Sequence, residues 1–390
     1  MSEGQLFKCP SCGSALSPQA DAAEIKCQYC GNTVIVPEEL RAPSRSDAPT
    51  YAPPSGGSTS SGGRVILIGV AAFVILGIAG VAMFGAASGG TKAAPLAKAA
   101  ASPTPAGFAH VVLSFGGEGT APGLFQDARH IGVDPEGNMY VDEMNTPRVQ
   151  KFDPTGKYVS GWNVDQNLCS NKSASRDAVT ADRAGNVYVH FCGSILKYDG
   201  TTGKMLAQFK GDNDAPRVFY MNELLYPDSS LLVLADGAPN AEEVLEHLDA
   251  NGKVLARYVN PVTAQSKNSA NAGTLKPAMD GLGNIFLLNG DDSAIYKFTP
   301  DGKYVTRFGS VGKGPGQFDA EALQIALDNQ SRVYVTDFSG IKVFDSNGAY
   351  LDSMSDKFVN GGIYDMQIDD KNNMYIVGKN MIYKLAVSLK

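Results

Sequence analysis

Histidine, tryptophan and cysteine are scarce: 4, 1 and 6 residues in a chain of 390. Six cysteines are too few to staple a chain of this length, and four of them lie within the first 30 residues. No phosphate-binding loop, nucleophile elbow or EF-hand loop occurs. Basic charge is not in excess either. Lys and Arg number 33 against 40 Asp and Glu, a net −7 that excludes a general nucleic-acid binder. A core is not lacking: hydrophobics are 43% and charged residues 19%, which excludes disorder over the whole chain. The 43 glycines and 21 prolines suit a turn-rich fold better than a helical bundle.

The four early cysteines, Cys9, Cys12, Cys27 and Cys30, form two C-x2-C pairs 14 residues apart. Thiolates so spaced on tight turns reach one Zn²⁺, and two such turns complete a tetrahedron. Gly13 and Gly31 follow the second cysteine of each pair, and Thr33–Val36 reads as a short strand. The pattern CPSCG…CQYCG resembles a zinc ribbon, so residues 1–38 are expected to hold a structural Zn²⁺; so short a segment builds no core without a metal or a bridge. Two disulfides or a redox pair are the alternatives. Only Lys8 and Lys26 add basic side chains, a poor equipment for DNA.

Residues 39–63 are a Pro/Ser/Gly linker without apolar periodicity. Residues 65–87 then run 23 positions without a charged side chain. As a helix this is roughly 35 Å, against a hydrocarbon core of about 30 Å. A soluble core helix would show a polar face, and 64 preceding residues are too many for a signal peptide's n-region. No cysteine follows closely, which excludes a lipoprotein anchor. The expectation is a single-pass transmembrane helix. Flanking charges tie, with Arg45 and Arg64 before and Lys92 and Lys98 after. Zinc-type thiolates suit a reducing cytoplasm and the remaining cysteines an oxidising exterior, so the N-terminus is placed inside and the C-terminal domain outside the cell membrane. Residues 88–107 form a second tether.

Residues 108–390 repeat. Ile131–Val141 (IGVDPEGNMYV), Val179–Val189, Ala278–Leu287, Ile325–Val335 and Gln367–Ile376 share one pattern, with a weaker copy at Leu224–Leu234. The turn residues Asn138, Asn186, Ser230, Asn284, Arg332 and Asn373 recur at intervals in the forties and fifties. Six such units of four short strands mean a mainly β, six-bladed β-propeller. With the glycine-rich lead-ins Gly116–Phe125 and Gly312–Phe318, the pattern resembles the NHL-repeat family over all of 108–390. The last repeat ends with its third strand, so His110–Phe115 is expected to close the ring as its outer strand.

Labelling each blade's strands a to d outward, the a–b and c–d turns are short. The d–a loops and the b–c loop at 236–244 are long, and all of these lie on one face, where function tends to sit. Counting back from each turn puts His130, Ala178, Asn222, Lys276, Gln324 and Asp365 at the channel mouth on that face. The expected ligand-binding set is His130, Asn222, Lys276, Gln324 and Asp365, although polar channel lining is common to the fold. Cys169 and Cys192 both belong to the same face and are expected to form a disulfide, with free buried thiols as the alternative.

Relatives of the NHL type include a zinc-dependent peptide-amidating lyase that uses several inner-strand histidines. Here only His130 is so placed, since His110, His190 and His247 fall on outer or middle strands. Streptogramin-lyase-like propellers imply a rim histidine with a carboxylate, for which His130, Asp365 and Lys276 are the catalytic candidates. The leading expectation is a membrane-anchored extracytoplasmic binding or sensor propeller that engages a protein, peptide or envelope glycan. A lyase at the channel mouth and a structural spacer are the alternatives. A net −8 over 108–390, from 26 basic and 34 acidic residues, argues against nucleic acid as a partner.

Overall fold

The computed structural model describes residues 7–9, 15–16, 22–27, 33–36, 107–144, 146–169, 176–209, 219–225, 229–235, 243–266 and 274–389. Residues 108–389 form a six-bladed β-propeller of antiparallel four-stranded sheets. Blade 1 is β6 (Ala128–Val133), β7 (Met139–Glu143), β8 (Arg148–Phe152) and β9 (Tyr158–Asn163). Blade 2 spans Arg176–Phe209, blade 3 Phe219–Val259, blade 4 Leu275–Phe308 and blade 5 Gln324–Ser355. Blade 6 is β26 (Asp365–Ile368), β27 (Asn373–Val377) and β28 (Met381–Val387), completed by β5 (Ala109–Gly116). The expected closure is thus observed, with β5 antiparallel to β28 from Met381↔Gly116 to Val387↔Ala109. Inner strands neighbour one another in chain order, and that of blade 6 returns to that of blade 1.

The repeat is a device for burying a carboxylate safely. In blade 1 the a–b turn starts with Asp134. Its Oδ1 accepts the Asn138 N–H (2.8 Å), and its Oδ2 accepts the Asn138 side-chain amide (2.8 Å) and the Tyr140 hydroxyl (3.1 Å). Asp182–Asn186–Tyr188 and Asp369–Asn373–Tyr375 repeat it. In blade 5 Arg332 replaces the asparagine, and its Nε donates to Asp328. In blade 4 the aromatic is Phe286, so Asp280 lacks the hydroxyl bond and keeps those from Asn284 and the Leu282 N–H. A buried charge must be hydrogen-bonded, and these turns meet that need locally. Burial and the adjacent Asp134 carboxylate hold the Tyr140 hydroxyl far above its usual pKa. On the ring face of the same aromatics lie Lys151, Lys197, Lys297 and Lys384, 5.2–5.4 Å from the centroids. The turn glycine is required where it stands, since Gly137 has φ +87°.

Strand limits sort the connections by face. The a–b and c–d turns hold four or five residues, while the d–a connections run from nine to fifteen. The acids ending the b strands tie these long connections down. Glu143 accepts the Gln126 N–H and pairs with Arg148, and Asp337 accepts the Asp319 N–H and pairs with Lys342. In blade 3 an acid that leads into the c strand does the same: Glu243 accepts the N–H groups of Val262 and Thr263. Phe125 and Phe318, which end the two glycine-rich lead-ins, are fully buried.

Cys169 and Cys192 form a disulfide, Cα–Cα 5.7 Å. It joins the blade 1–2 connection to the b–c turn of blade 2, on the long-loop face, as expected from the topology. A bridge across 23 positions constrains the unfolded chain by about 3 kcal/mol in the loop-entropy picture. The Cys169→Ser/Cys192→Ser double variant should therefore unfold at clearly lower denaturant, and reducing agent should shift the wild type and not the variant. Equal midpoints for the two proteins would refute this.

The N-terminal segment contributes two small hairpins. β1 (Phe7–Lys8) pairs with β2 (Ala15–Leu16), and β3 (Glu24–Lys26) with β4 (Thr33–Ile35). Cys9 and Cys27 each follow the first strand of a hairpin, and both are buried with Leu16, Val34 and Val36. Cys12 and Cys30 lie outside the described residues, as do the expected linker, the apolar run 65–87 and most of the tether 88–107. Among the described residues no helix is long and apolar enough to cross a membrane.

Candidate functional site

The inner strands enclose a channel of about 570 Å³. Four of the five residues expected to bind ligand, His130, Lys276, Gln324 and Asp365, line it, together with Ala178. The fifth, Asn222, lies on the inner strand of blade 3, and its side chain is outside the described residues. At the short-turn end Arg183 of blade 2 pairs with Asp370 of blade 6 at 2.9 Å. The pair skips over blade 1 and straps the channel's lower end.

His130 owes its position to a β-bulge. The register of β6 on β7 shifts between Ala128↔Glu143 and Ile131↔Val141, which sets two residues, Arg129 and His130, opposite the single Asp142. Bulges re-aim side chains. Asp142 lies opposite, on β7 and buried. Its Oδ1 accepts the His130 backbone N–H (2.9 Å) and holds the ring Nδ1 at 3.1 Å. In blade 5, Thr336 Oγ1 accepts the Gln324 N–H at the equivalent place.

Asp365 was the expected carboxylate partner of His130, and its direct bonds differ from that expectation. Its Oδ2 accepts the Ile131 N–H (3.0 Å), and its Oδ1 accepts the N–H of Met366 (2.8 Å). An innermost strand has one open edge, so its N–H groups need such partners. Asp365 therefore stitches blade 6 to blade 1 while standing beside the imidazole. Arg129, the other bulge residue, stacks on the Tyr364 ring at 4.0 Å and pairs with Asp127. The Gln324 amide donates to the Tyr364 carbonyl (2.9 Å).

The electrostatics follow from this packing. Burial disfavours a charged His130, but the Asp142 charge, the Asp142 hydrogen bond and the nearby Asp365 together raise its pKa above 6.5. Burial raises the Asp365 carboxyl above the usual carboxylate range, against the opposing pull of His130, the two backbone N–H groups and Lys276. Lys276 acts on both groups from blade 4, which faces blade 1 across the ring.

Asp142 is the residue that sequence reasoning missed. The position two after that of Tyr140 on the b strand holds Asp142, His190, Leu234, Leu288, Thr336 and Val377 in the six blades. An acid in a strand buried at every position was the available signal. The four early cysteines are not a complete set among the described residues, and no group of three or more metal-type ligands occurs there. Buried Cys9 and Cys27 at equivalent hairpin ends do fit two of four ligands to a Zn²⁺.

A family-model match agrees with the architecture. The DUF5128 family model, described as a 6-bladed beta-propeller, matches residues 257–383. No curated protein matches the chain. Among solved structures, virginiamycin B lyase from Staphylococcus aureus is 11% identical, with 67% of this chain and 95% of that one covered and a TM-score of 0.47. A gluconolactonase from Xanthomonas campestris is 14% identical, with coverage of 67% and 87% and a TM-score of 0.48. A Bacteroides thetaiotaomicron protein of unknown function is 13% identical, with coverage of 71% and 72% and a TM-score of 0.49. No activity is carried from these proteins to this one. The chain is a mainly β protein built on a six-bladed β-propeller.

Proposed function

We propose that this chain is a membrane-anchored, extracytoplasmic binding propeller of the NHL type. It engages a protein, peptide or envelope glycan through its long-loop face. The observation that carries the reading is that His130, Lys276, Gln324 and Asp365 line one channel on the face that also gathers every long connection. The Cys169–Cys192 disulfide on that face supports an oxidising location. The apolar run 65–87 is the proposed anchor, and the N-terminal cysteines are the proposed cytoplasmic Zn²⁺ ligands, with Cys9 and Cys27 in two equivalent hairpins.

Alkylation of intact cells with a membrane-impermeant reagent tests the topology. Cys169 and Cys192 should label only after reduction, and Cys9, Cys12, Cys27 and Cys30 only after lysis. Labelling of the N-terminal cysteines in intact cells would overturn the orientation and with it an envelope ligand. Binding itself is tested by His130→Ala, which should weaken partner capture by the propeller under conditions where circular dichroism shows the variant fully folded.

A second reading is a lyase at the same mouth. It is favoured by the His130–Asp142 contact, because a carboxylate that fixes a histidine's tautomer is the arrangement general acid–base chemistry needs. His130→Ala separates the two: loss of turnover with ligand binding retained favours the enzyme.

A further inference from the structure

On the long-loop side of the ring, a cation is repeatedly shared between an aromatic ring and a carboxylate. Arg129 lies 4.0 Å from the Tyr364 centroid and pairs with Asp127 at 3.0 Å. Arg307 lies 5.6 Å from the Tyr296 centroid and pairs with Asp292 at 3.2 Å. Lys342 lies 5.7 Å from the Phe318 centroid and pairs with Asp337. At the corner between blades 4 and 5 a ring and carboxylates recur without the cation. Phe338 follows Asp337 in the b–c turn of blade 5 and is 63% exposed, the highest value of any large apolar side chain among the described residues. The connection from blade 4 runs against this turn, since the Asp319 N–H donates to Asp337 Oδ2 (2.8 Å). Asp319 and Glu321 are exposed there, and their carboxylates have no partner among the described residues. Lys313 is the one basic residue of that connection, against these two acids. Val311, 57% exposed and bridged to Phe318, extends the apolar surface.

The corner is also rigid. Asp337 Oδ1 accepts the N–H groups of Ser339 (2.8 Å) and Gly340 (3.1 Å) and the Ser339 hydroxyl (2.6 Å), which fixes the turn that carries Phe338. Ala320, between the two acids, stands at φ +66°, a conformation costly for alanine. Ser293 of blade 4 keeps it there: its hydroxyl donates to the Ala320 carbonyl (3.1 Å) and accepts the Ala322 N–H (3.1 Å). A surface held in place before contact loses little entropy on binding.

We infer that this corner docks an arginine-bearing peptide segment of a protein partner, with the guanidinium on the Phe338 ring and its N–H groups on the carboxylates of Asp319 and Glu321. This rests on the long-loop face being the binding face proposed above, and it selects a protein over a glycan. Arginine is the side chain that meets both features, since its plane stacks on an aromatic face while its fork of donors matches carboxylates. The partner thus supplies the cation that Arg129, Arg307 and Lys342 supply at the other rings. The net −8 of residues 108–390 draws a basic segment toward the propeller.

The test uses the full-length chain in phosphatidylcholine nanodiscs and the fluorescence anisotropy of dye-labelled probes: the peptide Gly-Arg-Ala-Arg-Gly with blocked ends, its citrulline analogue, and chitotetraose. The arginine peptide should bind and saturate. The citrulline peptide, which keeps the shape and loses the charge, should bind about tenfold more weakly. Phe338→Leu should weaken the arginine peptide about tenfold, whereas Phe338→Trp should keep or tighten it, because Trp offers the better face to a cation. The Asp319→Asn/Glu321→Gln double variant should weaken it and flatten its salt dependence. Leu255→Ala, which removes a comparably exposed side chain from an outer strand, should change nothing. Circular dichroism checks that each variant is folded. Equal binding of the arginine and citrulline peptides, or unchanged binding by Phe338→Leu, overturns the inference. Binding of chitotetraose without either peptide, lost in Phe338→Leu, overturns it too and makes the corner a glycan site. If no probe binds, the corner is not a docking site, and the wider binding reading is still decided separately by partner capture with His130→Ala.

Discussion

A chain covering residues 118–389 should fail to form a closed, monomeric propeller, whereas one covering 107–389 should succeed. The difference is the closing strand β5. Without it β28 loses a ladder of seven paired residues and becomes an open edge. An unpaired edge is a template for other chains, so association is the expected result and not a merely softer monomer. The strand also carries side chains that the ring cannot replace. Phe115 lies 4.7 Å from Phe152 of blade 1, in a cluster that includes Tyr375 and Ile382 of blade 6. Just before the strand, Phe108 packs on Tyr334 of blade 5, and its carbonyl accepts the Ser388 N–H. Three blades therefore lose core at once. Burial of one large apolar side chain is worth about 2–3 kcal/mol, and several such losses exceed half of a domain's usual stability of about 5–15 kcal/mol. Size-exclusion chromatography and thermal unfolding of the two chains decide it. A monomeric 118–389 with an unchanged melting temperature would show that the ring does not need its closure.

That closure was legible in the sequence, and the reason is local. The a–b turn chemistry of Asp134, Asn138 and Tyr140 is short-range, so each copy announces itself within seven residues. A missing fourth strand after Val387 and a spare one at His110–Phe115 then leave one arrangement. The disulfide followed from the same bookkeeping, since two odd cysteines fell on one face. The site was legible only in part. Counting back from the turns found His130, Lys276, Gln324 and Asp365, because sequence offset fixes height along an inner strand. It could not find Asp142. Whether His130 pairs regularly or sits in a bulge depends on the register of β6 against β7. The count is the same in bulged blades 1 to 3 and in unbulged blades 4 to 6, so nothing in it marks the bulge. For the same reason Asp365 read as a partner of the imidazole, when its oxygens are first a solution to the open edge beside Ile131.

Asp142→Asn is expected to lower the His130 pKa and with it the charged fraction of the ring near neutral pH, and to lower the stability of the propeller. The wild-type balance sets burial, which disfavours the imidazolium, against Asp142, which favours it twice, by charge and by hydrogen bond. Removing the charge leaves burial as the larger influence, so the His130 pKa should fall below 6.5. Asn keeps an oxygen for the backbone N–H of His130, which protects the bulge. Asp142→Ala does not, and leaves that N–H and the ring Nδ1 without their acceptor. Breaking a buried charged pair in this way costs about 3 kcal/mol or more. The pH dependence has a definite sign. The folded-state pKa of His130 is raised, so the stabilisation from its protonated form is complete below 6.5 and is lost as pH rises through the folded value. The gap in stability between wild type and Asp142→Asn should therefore be widest on the acid side of 6.5 and narrow toward pH 9. Imidazole resonances followed through a pH titration give the first quantity, and denaturant unfolding at pH 6 and pH 9 gives the second. A His130 midpoint that stays above 6.5 in Asp142→Asn would remove Asp142 from control of the site, and a stability gap that widens with pH would reverse the assigned charge.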